Sequence, residues 1–285
     1  DAGRRRLLEA VDVERRERDG AGERLARLSR VATIRAAALT GRLGPDQHGP
    51  DPHGASDLAA VLYRAGGCAP SREIDARWPQ LLLRRAERPV RAALSGHTRS
   101  ATAAWMSWTR TDADTSELVH KIYVSPSVGA LAEALTTTFA VAIDLGVPAW
   151  KVGADVAGLH RADKIVLYLP TGEAADRAAS ILAVALNHIE PQGVPFTGQV
   201  GATGIVSRGI DHDGTSWRAL VCRSLADALV AGGAVAGPTA PPMDVADLAY
   251  ERLVGLGFDV TTWWPLQPPT PQPPTPQPMT TGANR

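Results

Sequence analysis

The chain has 285 residues, enough for one large domain or two small ones with an ample core. Its 30 basic and 30 acidic residues cancel, which removes the global electrostatic case for a nucleic-acid partner. Two cysteines far apart, Cys68 and Cys222, make no disulfide framework and fit a reduced, cytoplasmic setting. No stretch reads as a membrane span, and the charged N-terminus has no signal-peptide pattern; lacking an initiating Met, it reads as processed or trimmed.

In chain order, residues 4–42 show helical spacing of Leu7, Leu8, Val11, Leu25, Leu28, Val31 and Ile34, with a break predicted at 20–22. Residues 44–54 read as a loop rich in Gly and Pro. His48 and His53 in it have no Cys or third His nearby, so a polar loop outweighs a metal pair. A helical stretch at 56–65 leads through Gly66-Gly67 to an Arg-rich amphipathic pattern at 73–95. After Asp114 the texture changes. Alternation predicts a strand at 118–125, bounded by Pro126, followed by an apolar helix over 128–145 that Gly146 and Pro148 end. A short strand at 150–152, a helical turn at 154–161 and a second clear strand at 164–169 come next. The pattern then gives a helix at 173–189, extended chain at 196–206 around Gly198, Gly201 and Gly204, and helices at 216–229 and 245–254. From Pro265 to Met279 the Pro-Gln-Pro-Pro-Thr repeat reads as a polyproline-II tail with no core to join. The expected fold class is α+β: a helical N-terminal region (1–112), a mixed α/β domain with a small sheet flanked by helices (113–262), and a Pro-rich tail (263–285).

Of the 30 basic residues only Lys121, Lys151 and Lys164 are lysines, all in one window of an otherwise Arg-writing sequence. A Lys retained against such a bias points to chemistry Arg cannot do, because a crowded or dry ammonium can lose its proton. Lys121 and Tyr123 share one strand face, as do Lys164 and Tyr168, opposite Ile165 and Leu167. Arg161, Arg208 and Arg218 follow nearby in the chain. Cations and phenols without a His, Cys or carboxylate cluster argue against a metal or paired-carboxylate enzyme and for an anion pocket. Each residue alone has an ordinary reading: Lys and Tyr on a solvated sheet face, and Arg161 paired locally with Asp163.

The segment 117–230 resembles the lyase proteins of the type III effector HopA1 family, which also occur in lanthipeptide and thioamitide biosynthesis. The resemblance is carried by His120-Lys-Ile-Tyr-Val-Ser125, Lys151, the run from Arg161 to Tyr168, and Ser216-Trp-Arg218. The order of charged residues is also similar to phosphothreonine lyase effectors and lanthipeptide synthetase lyase domains. It implies β-elimination of phosphate from a phosphoserine or phosphothreonine in a precursor peptide, giving dehydroalanine or dehydrobutyrine, with no metal or organic cofactor needed. Under it Lys151 is the base, Lys121 matches an early lysine, and Arg161, Arg208 and Arg218 hold the phosphate. Tyr168 is a site tyrosine and Lys164 a supporting cation. Where the family pattern expects an acid His, this chain has Tyr123. Tyr123, the neighbouring catalytic Lys121, or His120 from a distorted strand would donate the proton, and since His120 points to the opposite face Tyr123 is favoured. A separate kinase and a cyclase are the implied partners, since the chain has no kinase signature. The main rival is a non-catalytic module that binds a phosphopeptide or leader peptide. A delivered effector acting on host phosphoproteins and a DNA-binding adaptor fit composition and charge less well.

Overall fold

The computed structural model describes residues 24–40, 52–69 and 75–265. The predicted helix before residue 24, His48, and the Pro-rich run beyond Pro265 lie outside the described residues. The helical N-terminal part contributes α1 (Arg24–Thr40), α2 (Pro52–Arg64) and α3 (Trp78–Glu87). Helix α2 starts at Pro52, inside the predicted loop, because proline is tolerated in a helix's first turn. Strands β1 (His97–Ala101) and β2 (Trp105–Arg110) follow, which the sequence reading left unassigned. β1 is a polar, largely exposed edge and offers no apolar alternation to read.

Next come β3 (His120–Val124), α4 (Leu131–Asp144), β4 (Ala149–Gly153), α5 (Val156–His160), β5 (Ile165–Leu169) and α6 (Gly172–Ala185). The chain continues through β6 (Gly198–Val200), β7 (Val206–Ile210), α7 (Trp217–Ala236), α8 (Pro242–Gly255) and a small hairpin, β8 (Phe258–Asp259) and β9 (Trp264–Pro265). Seven strands form one antiparallel sheet in the order β1-β2-β4-β5-β3-β7-β6. The fold is α+β, as expected. Because β1 and β2 belong to this sheet, a division at residue 112 cuts through it.

The caps follow local chemistry. Thr171 accepts from the Ala174 N–H to start α6, and Asp155 accepts from the Gly158 N–H to start α5. Gly146, at φ 61°, takes the left-handed turn after α4. One sheet face packs Ile122, Val124, Trp150, Val152, Ile165 and Leu167 against α3, α4 and α6. Trp108 stacks on Trp150 at 6.0 Å and both meet Phe139 edge-on. A second core joins α1, α2, α7 and α8 through Ile34, Leu62, Leu225, Leu229 and Leu253. At its centre, α7 is long and apolar enough by composition to cross a membrane, which corrects the sequence reading. Much of it packs here against α1, α2 and α8.

Candidate active site

The sheet face away from α4 and α6 carries the polar residues. Register sets Lys151 beside Val166, Val166 beside Tyr123, and Tyr123 beside Ser207 in one row across four strands. In the next row Ala149, Tyr168, Lys121 and Gly209 lie side by side. Strand alternation therefore brings Lys151, Lys121, Tyr123 and Tyr168 to one face, as the sequence predicts for Lys121 and Tyr123. Gly209 is where the face admits two bulky rings: a Cβ there would meet both Trp217 and Tyr123 within about 3.2 Å.

Lys151 is half-buried, with its Nζ 4.3 Å from the centre of the Trp105 ring and 5.4 Å from that of Tyr168. No carboxylate lies within ion-pair distance of it among the described residues. Burial pulls its pKa down to about 8, aided by the positive charges of Lys121 and Arg161, while Asp163 and Asp211 oppose the shift. A cavity of about 280 Å³ opens at this amine, lined also by Ser107, Thr109, Thr115, Leu118 and Tyr168. The amine is thus close to half neutral near pH 8, in a hollow whose wall is mostly apolar.

Lys121 is buried and pairs with Asp211 at 2.5 Å, its ammonium 5.2 Å from the Tyr168 ring. Asp211 also accepts from the Trp217 N–H at 3.1 Å, which fixes the carboxylate at the start of α7. Tyr123 is buried, and its hydroxyl has no partner among the described residues. Burial and the nearby groups Tyr63, Asp211 and Asp163 raise its pKa well above the ordinary phenol range, so it stays a neutral donor. Tyr168 is raised likewise, chiefly by burial. His120 lies on the other face, against Gly172 and near Asp176, as alternation requires.

Arg161 is partly exposed and makes a two-pronged bond to Asp163, Nε to Oδ1 at 2.8 Å and Nη2 to Oδ2 at 3.0 Å. This is the local pairing anticipated from sequence. Its guanidinium lies 5.0 Å from the Trp105 ring, so Trp105 is shared by Arg161 and Lys151.

Three expected phosphate ligands sit elsewhere. Arg208 pairs in register with Ile122, on the α6 side of the sheet, where it bonds Asp176 and covers Trp264; it cannot face Lys151. Arg218 is buried, with Nε donating to Pro195 O, Nη2 to Ala65 O, and Nη1 near Asp163, so its donors are engaged in structure. Lys164 is fully buried and donates to Pro126 O at 2.7 Å and to Gln192 Oε1. Burial lowers its pKa to about 8, but its donors clamp two loops. The sequence signalled charge for all three but not which neighbours would absorb it.

Sequence reasoning missed Asp211, Tyr63 and Trp105. Tyr63 on α2 donates to Asp163 Oδ2 at 3.1 Å and lies under Arg218, and burial pushes its phenol up to about 12. Alternation along β7 carried one usable signal: Asp211 has the parity of Ser207 and Gly209, and Arg208 does not.

No family model matches the chain, and no curated protein matches it. Among solved structures, an effector protein from Pseudomonas syringae pv. syringae strain 61 aligns at 13% identity, covering 84% of this chain and 98% of its own, with a TM-score of 0.46. The type III effector and phosphothreonine lyase OspF from Shigella flexneri aligns at 10% identity over 55% of this chain and 89% of its own, with a TM-score of 0.33. The phosphothreonine lyase SpvC from Salmonella gives 11% identity, 55% and 87% coverage, and a TM-score of 0.33.

Proposed function

We propose that this chain eliminates phosphate from a phosphoserine or phosphothreonine in a peptide, with Lys151 as the base. The observation that carries the reading is the Lys151 amine: half-buried, without a carboxylate partner among the described residues, lowered to about 8, and at the edge of a cavity. A Cα–H next to an amide is weakly acidic, and its removal needs a neutral amine beside it. Lys151 Nζ takes that proton, the electron pair forms the Cα=Cβ bond, the Cβ–O bond breaks, and phosphate leaves with its oxygen. The product is dehydroalanine from phosphoserine or dehydrobutyrine from phosphothreonine.

Arg161, paired with Asp163, and Lys121, paired with Asp211, bring positive charge near Lys151; both attract the phosphate and stabilise the charge developing on it. Tyr123, a buried neutral phenol on the same face, is the donor for the leaving oxygen. On this reading the substrate is a ribosomal precursor peptide, phosphorylated by a separate kinase and taken up by a cyclase; the sequence resemblance to lanthipeptide lyases supports it. Incubation with phosphothreonine and phosphoserine peptides tests the reading by mass spectrometry. A loss equal to phosphoric acid is expected, cut by roughly 10³-fold or more in Lys151→Ala with peptide binding retained. No loss from any such peptide would contradict it.

A phosphopeptide-binding module is the second reading. It is favoured by the closure of the Tyr123 hydroxyl from solvent, which keeps the acid away from a leaving oxygen. Tight binding without elimination would be its signature.

A further inference from the structure

An apolar groove lies on the far side of Asp211 from Lys121, outside the site described above. It encloses about 460 Å³ between the end of β7, the start of α7, the end of α8 and the β8–β9 hairpin. Ile210, Trp217, Leu220, Val254, Leu256 and Phe258 line it. The rings of Trp217 and Phe258 are 5.7 Å apart, and Trp264 lies 6.3 Å from Trp217. Val254 and Leu256 are 47% and 60% exposed, so the rim leaves large apolar side chains in water. The Trp217 indole N–H has no acceptor among the described residues.

Pro265, the last described residue, itself lines the groove, so the chain that follows departs from the groove's own wall. That following run, Gln267 to Pro278, contains no charged residue and holds prolines at 268, 271 and 274. A polyproline-II helix has three residues per turn, which aligns those prolines along one edge, and its carbonyls are free to accept because it has no internal hydrogen bonds. Aromatic-lined grooves are the usual receptors for such edges. A tether of zero to a few residues makes the local concentration of the run high, so weak contacts suffice.

We propose that the proline-rich run Gln267–Pro278 docks in cis along this groove, covering Trp217, Leu256 and Phe258. The neutral, proline-spaced edge suits the apolar groove and its exposed rim of Val254 and Leu256. The proposal is independent of the lyase reading.

Hydrogen exchange of the full chain, followed by mass spectrometry, tests it. The wild type is compared with an equal-length variant in which every proline from Pro268 to Pro278 is replaced by serine, and with Leu256→Asp. Leu256 is exposed, so its replacement leaves the core intact. Exchange of the amides at 212–220 and 254–258 is expected to quicken by at least about tenfold in both variants. A synthetic peptide of residues 266–279 is expected to restore protection to the serine variant and not to Leu256→Asp. Equal exchange in wild type and serine variant would overturn the proposal. So would protection that grows with protein concentration, which would assign the groove to a second copy.

Discussion

Lys151 takes its reactivity first from burial and then from charges on several different segments. Lys121 on β3 and Arg161 before β5 lower its affinity for a proton, while Asp163 and Asp211 raise it. Asp211→Asn removes one opposing charge and therefore lowers the Lys151 pKa further. The acid limb of the elimination rate is expected to move to lower pH, as a pH–rate series on the variant would show. An unmoved limb would detach Asp211 from the base. Lys151 was legible from sequence because three lysines stand out among 30 basic residues. Asp211, Tyr63 and Trp105 were not, because nothing local marks a carboxylate after β7, a phenol on α2 or an indole on β2 as neighbours of a lysine on β4.

The elements meet at Asp163, which holds Arg161 beside it, Tyr63 from α2 and Arg218 from α7. Those bonds outweigh its burial and bring its pKa down to about 2 from 3.8. A carboxyl depressed on folding contributes stability that is fully present above its unfolded value, and this is lost as pH falls from near 4 through about 2. Asp163→Asn leaves the buried Arg218 without its counter-charge, and urea unfolding at neutral pH is expected to show a loss of about 3 kcal/mol. The loss should shrink in acid, where the wild-type carboxyl is itself protonated. At this scale the sequence showed β3, α4, β4, β5, α6, α7 and α8 through clear periodicity. It did not show β1 and β2, since a polar edge strand and a strand with one tryptophan on each face lack a simple apolar alternation. It placed Arg208 near Lys151 by proximity in sequence, whereas the register of β7 turns it to the α6 face.

Across the whole molecule the site lies at the junction of two cores, one under α3, α4 and α6 and one formed by α1, α2, α7 and α8. Neither core is separable at residue 112, because β2 pairs with β4 and covers the strand that bears Lys151. A chain started at residue 113 loses β1, β2 and the Trp108–Trp150 stack. Circular dichroism and limited proteolysis are expected to find it unfolded or readily cleaved; a stable, cooperatively melting product would contradict this. The measurement that bears most directly on the chemistry is the pH dependence of phosphate loss from a phosphothreonine peptide. A neutral Lys151 amine as base predicts a rate that climbs with pH and levels off around a midpoint of about 8, with the whole profile abolished in Lys151→Ala. Elimination that persists in Lys151→Ala, or that does not change between about pH 6 and pH 9, would contradict it.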